Sequence, residues 1–134
     1  MQPCGRCFRR WQNRLESEPD AWIVRSVDDG LVWRNAAARN PRGVPAVASW
    51  RDAVNWAHVR DIPKIEDAYS LAIKTMTMQE VSFRFKDMTG RIGEVMSVIH
   101  PYRCDGCNRG CCVAITMTIP VFLRVAPHYS WPRA

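Results

Sequence analysis

The sequence predicts a small single domain of the α+β class with a mostly antiparallel sheet: a ββ hairpin, then one or two helices, then about three strands, the whole stapled by zinc. Three observations carry this. Period-two hydrophobicity recurs before residue 35 and after residue 78, helix-period stripes are confined to the middle, and the cysteines fall in two clusters that each open with C-x2-C. The chain has 134 residues, a length that fits one domain with one core. The expected organisation is 1–134 as a single domain, with 1–15 a basic, cysteine-containing arm and 127–134 a loose tail.

The elements follow in order. Met1–Leu15 reads as a short knuckle leading into a helical turn, ended by Glu18-Pro19-Asp20. Residues 21–27 and 31–34 read as a hairpin, because Asp28-Asp29-Gly30 offers the positive φ that a tight turn needs. Residues 35–45, rich in Asn, Arg, Gly and Pro, read as a loop. Ser49 is placed to cap a helix with Asp52 three residues on. Trp50, Ala53, Val54 and Ala57 then share one stripe to about Arg60, where Ile62-Pro63 is expected to stop the helix. A second helix is expected over 64–73. Val81, Phe83 and Phe85 alternate with polar residues as a half-buried strand, Met88–Gly90 turns the chain, and 93–100 forms another strand. In 113–125 Val113, Ile115, Met117, Ile119, Val121, Leu123 and Val125 fall on one parity, with Ala114, Thr116, Thr118, Pro120, Phe122 and Arg124 on the other, and Pro120 places this strand at a sheet edge or breaks it.

Composition narrows the function classes. Hydrophobic residues make up 47% and charged residues 24%, which excludes whole-chain disorder. The apolar stretch near Val113–Val125 is broken by Thr116, Thr118, Pro120 and Arg124 and is too short to span a membrane. No apolar run follows the arginines of the first fifteen residues, so a cytoplasmic protein is expected, or one of the host cytoplasm if viral. The net charge is +6, carried by 16 Arg against 3 Lys. Arginine offers a planar fork suited to phosphates and carboxylates.

Cys4 and Cys7 form the first cluster, and Cys104, Cys107, Cys111 and Cys112 the second. A C-x2-C turn lets two thiolates reach one tetrahedral ion. Two zinc geometries compete. Cys4, Cys7, Cys104 and Cys107 can staple the N-terminus to the last hairpin, or His100, Cys104, Cys107 and one of Cys111 and Cys112 can form a local site with a smaller loop-closure cost. Free buried thiols or a disulfide are the alternatives without metal. The run Cys104-Asp-Gly-Cys107-Asn-Arg-Gly110 resembles the last knuckle of zinc-stapled HNH nucleases, and that resemblance implies nuclease activity. It covers seven residues. The Asp-His pair of such nucleases has no counterpart, since Ala57 precedes His58, and a strand rather than a basic helix follows the knuckle.

No catalytic constellation is legible, which points away from an enzyme. His58 with Asp61 suits a general base and its orienting acid, or a histidine that complements a helix C-terminus. Gly90-Arg91-Ile92-Gly93 lacks the Lys-Ser/Thr of a P-loop. Four tryptophans (Trp22, Trp33, Trp50 and Trp56) are expected in the core, with Trp11 and Trp131 facing a partner. The expected function is a small, basic, non-enzymatic binding module stabilised by zinc. It would contact nucleic acid through Arg6, Arg9, Arg10, Arg14, Arg39 and Arg42, with Trp11 stacking on bases. The alternative is an accessory or inhibitor protein of a phage or mobile element, acting by protein–protein binding with no small-molecule substrate.

Overall fold

The period-two segments pair into a single six-stranded sheet in the order β3-β2-β1-β6-β5-β4, every neighbouring pair antiparallel. The computed structural model describes residues 5–27, 30–39, 45–86, 90, 92–103 and 111–122, and the structural statements below refer to these. The strands are β1 (Ala21–Ser26), β2 (Leu31–Arg34), β3 (Val47–Ser49), β4 (Gln79–Lys86), β5 (Ile92–Arg103) and β6 (Cys111–Phe122). The helices are α1 (Gly5–Leu15), α2 (Ala36–Arg39), α3 (Trp50–Val54) and α4 (Ile62–Thr75), with a 3-10 turn over Val59–Asp61. A small α+β domain with a curled antiparallel sheet is thus the fold.

The 21–34 hairpin forms as expected, and Gly30 adopts φ +65° at its turn. Gly90 likewise takes φ +83° between β4 and β5. The Ser49 hydroxyl caps α3 by accepting from the Asp52 amide at 3.1 Å. Two expectations about proline change. Pro63 opens α4 instead of stopping a helix, because a first-turn residue has no intrahelical amide partner to lose. Pro120 lies on a central strand rather than an edge. Pairing of β1 with β6 ends at Ala21–Thr118, and on the other side the register slips between Val95–Pro120 and Glu94–Phe122. The missing amide hydrogen therefore falls just past the β1 ladder and at a bulge.

The sheet is covered on both faces. On one, α4, the segment around Ala57 and the inward residues of β4 and β5 bury Ile65, Tyr69, Ala72, Val81 and Ile99. On the other, α1 lies across β1 and β6, so that Leu15 packs with Val24, Trp33 and Ile115. On β6, Ile115 serves this second face, while Thr116 meets Tyr69 of α4 and Thr118 lies on the same side. Edge strand β4 is itself covered. Ala57 bridges to Phe85, the His58 amide donates to Arg84 at 2.9 Å, and the Lys86 amide donates to Trp56 at 3.0 Å.

Candidate functional site

Strand alternation decides what lies beneath the sheet. Ile23 stands opposite both Arg34 and Thr116, and Ser97 opposite both Val81 and Thr118. Cross-strand partners share a face, so β1, β2, β6, β5 and β4 together turn Ile23, Arg34, Thr118, Ser97, Val95 and Phe83 toward the helices. There they meet Ala38, Trp50, Ala53, Val54, Ala57, Ile65 and Tyr69 around a cavity of about 60 Å³. Its wall is mostly apolar. The described lining contains no His, Cys or carboxylate.

Polar groups gather at the β2–β1 end. Arg34 is 4% exposed, and its Nη1 donates to the Pro45 carbonyl at 3.2 Å. The Arg25 guanidinium lies 4.0 Å over the Trp50 ring and 5.2 Å from the Tyr69 ring, a cation–π arrangement. Trp50 and Tyr69 meet edge to face at 4.8 Å. The Tyr69 hydroxyl hydrogen-bonds Thr116 Oγ1. Burial pushes this hydroxyl above its usual pKa, while the Thr116 bond and the positive charges of Arg25 and Arg34 pull it back. Ser97 Oγ and Thr118 Oγ1 are 3.3 Å apart. The chemistry on offer is recognition: a small pocket with an apolar body and a cationic, hydrogen-bonding end.

A second, more open depression lies on the α1 face. Trp11, Arg14, Leu15, Trp22, His100, Pro101, Tyr102 and Ile115 line it. Trp11 meets Tyr102 edge to face at 5.2 Å and carries Arg14 over its ring at 5.1 Å. Trp11 is therefore packed against the sheet, which corrects its expected role as an exposed base-stacking residue. Of the other residues expected to bind nucleic acid, Arg9 and Arg10 are exposed on α1. Arg39 ties α2 to the end of α1, through the Arg34 carbonyl at 2.6 Å and Glu16 at 2.8 Å. Arg6 lies on the α1 backbone, and Arg42 lies outside the described residues.

The metal expectations stand as follows. Gly5 and Cys7 belong to the first turn of a helix, not to a knuckle, and Cys111 and Cys112 are consecutive on β6. Cys4, Cys104 and Cys107 lie outside the described residues. His100 stacks near Trp22, ring centroids 6.4 Å apart, on the outer depression. Among the described residues no three His, Cys, Asp or Glu side chains come together as a metal-binding group. His58 and Asp61 do not form a catalytic pair. His58 Nδ1 accepts from the Arg60 amide at 3.1 Å, and the Asp61 carboxylate is engaged by Arg84 at 2.8 and 3.0 Å.

Sequence reasoning missed Arg25, Arg34, Tyr69, Thr116 and Thr118 as residues of this site. One signal was available. Arg25 and Arg34 share strand parity with Ile23 and Val32, where an inward-facing strand position carries an apolar residue.

No protein-family model matches the chain, and no curated protein matches it by sequence. Solved structures do match, at the level of fold. A PAS domain from Colwellia psychrerythraea aligns with TM-score 0.64 at 18% identity, covering 86% of this chain and 97% of that one. The N-terminal domain of a diguanylate cyclase with PAS/PAC sensor from Marinobacter aquaeolei aligns with TM-score 0.64 at 13% identity, covering 75% and 94%. A tryptophan-to-alanine variant of the PAS-B domain of Drosophila melanogaster Cycle, with bound glycerol, aligns with TM-score 0.61 at 11% identity, covering 75% and 98%. The fold is PAS-like. These likenesses, with the packed Trp11 and the absence of a metal-binding group among the described residues, correct the expectation of a zinc-stabilised, nucleic-acid-contacting module with zinc as cofactor. They equally correct its alternatives as a phage accessory protein or an HNH-like nuclease.

Proposed function

We propose that this chain is a sensory module that holds a small organic molecule between its curled sheet and helices α2–α4 and passes the effect of occupancy to a partner protein. The observation that carries this is the cavity itself, partly open, with a mostly apolar wall that includes the Arg34 and Tyr69 side chains. Two likenesses support it. The Marinobacter neighbour is the N-terminal domain of a diguanylate cyclase with PAS/PAC sensor, and the Cycle neighbour, a tryptophan-to-alanine variant, holds glycerol. Cavity size limits the ligand. About 10–15 Å³ of such space accommodates one water, so the cavity as it stands suits a small molecule.

The test is a ligand-observed NMR screen of the purified chain with a panel of small organic molecules, repeated on Ala53→Leu. Ala53 lines the cavity from α3, and leucine there fills the space while remaining a good helix former. At least one molecule is expected to bind and to raise the thermal midpoint with its concentration, with binding lost in the filled variant. A panel in which nothing binds, or binding that survives Ala53→Leu unchanged, overturns the proposal.

A further inference from the structure

We infer that the ligand of this cavity is a short-chain monocarboxylate of about two to four carbons, its carboxylate held at the β2–β1 end and its hydrocarbon end directed toward β5 and β4. This rests on the sensory-module proposal and specifies its ligand class. Size comes first. A cavity of about 60 Å³ has room for about four to six water-sized groups. A carboxylate uses three heavy atoms, which leaves room for a short hydrocarbon chain.

Polarity then assigns the two ends. The strand order β2-β1-β6-β5-β4 separates Arg34 on β2 from Val95 on β5 and Phe83 on β4. The cationic end is the buried Arg34, which lines the cavity together with Tyr69. The planar fork of a guanidinium matches the two oxygens of a carboxylate. Low dielectric strengthens its attraction for a bound anion. The opposite wall is made of Phe83 and Val95. A second carboxylate there would be buried away from any charge partner, which disfavours dicarboxylates. Inorganic phosphate would leave the apolar wall unfilled.

The probes are sodium butyrate and propionate, with butyramide and 1-butanol as uncharged molecules of matched size, and with succinate and inorganic phosphate as the competing anions. Methyl chemical shifts of Ala53, Ala57 and Val95 report binding in the cavity. Butyrate and propionate are expected to bind at least about tenfold more tightly than butyramide, the difference between a charge-assisted and a neutral hydrogen bond. Arg34→Met is expected to erase that preference while leaving 1-butanol binding in place. Because the butyrate-to-butyramide ratio is measured on the unaltered chain, it decides the matter even if Arg34→Met fails to fold. Butyramide and 1-butanol binding as tightly as butyrate would overturn the carboxylate inference and leave the cavity proposal standing. Succinate or phosphate binding more tightly than butyrate would do the same. If none of the probes moves the cavity methyls, the carboxylate inference falls, and the panel screen with Ala53→Leu decides the proposal beneath it.

Discussion

Asn35 shows how much one side chain organises here. It is fully buried. Its Oδ1 accepts from the Trp22 amide at 2.9 Å and the Ala38 amide at 3.0 Å, and its Nδ2 donates to the Leu15 and Asp20 carbonyls, each at 2.9 Å. One amide thereby joins the end of α1, the start of β1 and the first turn of α2. Asn35→Ala would remove the side-chain partner of the Trp22 amide and the Asp20 carbonyl, while the Ala38 amide keeps the Asn35 carbonyl and the Leu15 carbonyl keeps the Glu18 amide. The expected cost is about 3–5 kcal/mol, seen as a lower denaturation midpoint at unchanged slope. Asn35→Asp keeps the acceptor but turns a carboxylate toward two carbonyl oxygens. That repulsion raises the folded-state pKa of the new acid. The variant is therefore expected to be least stable at neutral pH and to recover as pH falls and the carboxyl protonates. Equal midpoints for Asn35→Ala and the parent would mean that water or local rearrangement satisfies these groups.

Among the elements, the clamp between the 3-10 turn and β4 makes a pH-dependent contribution whose sign is fixed. Asp61 is 5% exposed and takes the Arg84 side chain in a bidentate pair, together with the Arg84 backbone amide at 2.9 Å. The Arg84 hydrogen bonds hold its carboxyl down to about 2, from an ordinary 3.8, against the opposing effect of burial. A depressed acid stabilises the fold above its unfolded pKa and loses that contribution as pH falls through its folded one. The clamp should supply about 2 kcal/mol at neutral pH, lost between about pH 4 and pH 2. Acid titrations of the parent and Asp61→Asn should converge at the low end, and parallel curves would refute the assignment. The elements also show what the sequence made legible. The hairpin at Gly30, the Ser49 cap, the α4 stripe and the alternation in β4 depend on near neighbours, and all were read correctly. Local pattern misled where the outcome depended on distant partners. Pro63 looked like a stop and proved a start. Pro120 looked like an edge marker and sits where a neighbouring strand ends. Gly5–Leu15 of the arm forms a helix because Leu15 finds Val24, Trp33 and Ile115 across the sheet, and Arg34 is inside because its strand is buried on both faces.

At the scale of the whole molecule, one sheet separates two cores of unequal depth, and this predicts a hierarchy of opening. The helix side buries Ile65, Tyr69, Ala72, Val81 and Ile99, with Thr116 of β6 1% exposed against Tyr69. The α1 side depends on Leu15 with the half-buried Phe8 and Trp11, and α1 is joined to the rest by a single helix face. Amides of β1, β6 and β5 are hydrogen-bonded on both sides by neighbouring strands, so they should exchange with solvent only on global unfolding. Amides of the second half of α1 should exchange through a local opening at least about 2 kcal/mol cheaper. Native-state hydrogen exchange on the parent and Trp11→Ala distinguishes the possibilities. Trp11→Ala removes the ring that packs on Tyr102 and should lower α1 protection further while central-strand protection changes less. If α1 and the central strands instead exchange with one common free energy, the two cores form a single cooperative unit. A cavity ligand would then stabilise both faces of the sheet equally. If they separate, α1 is the element free to respond when occupancy of the cavity shifts the strands beneath it.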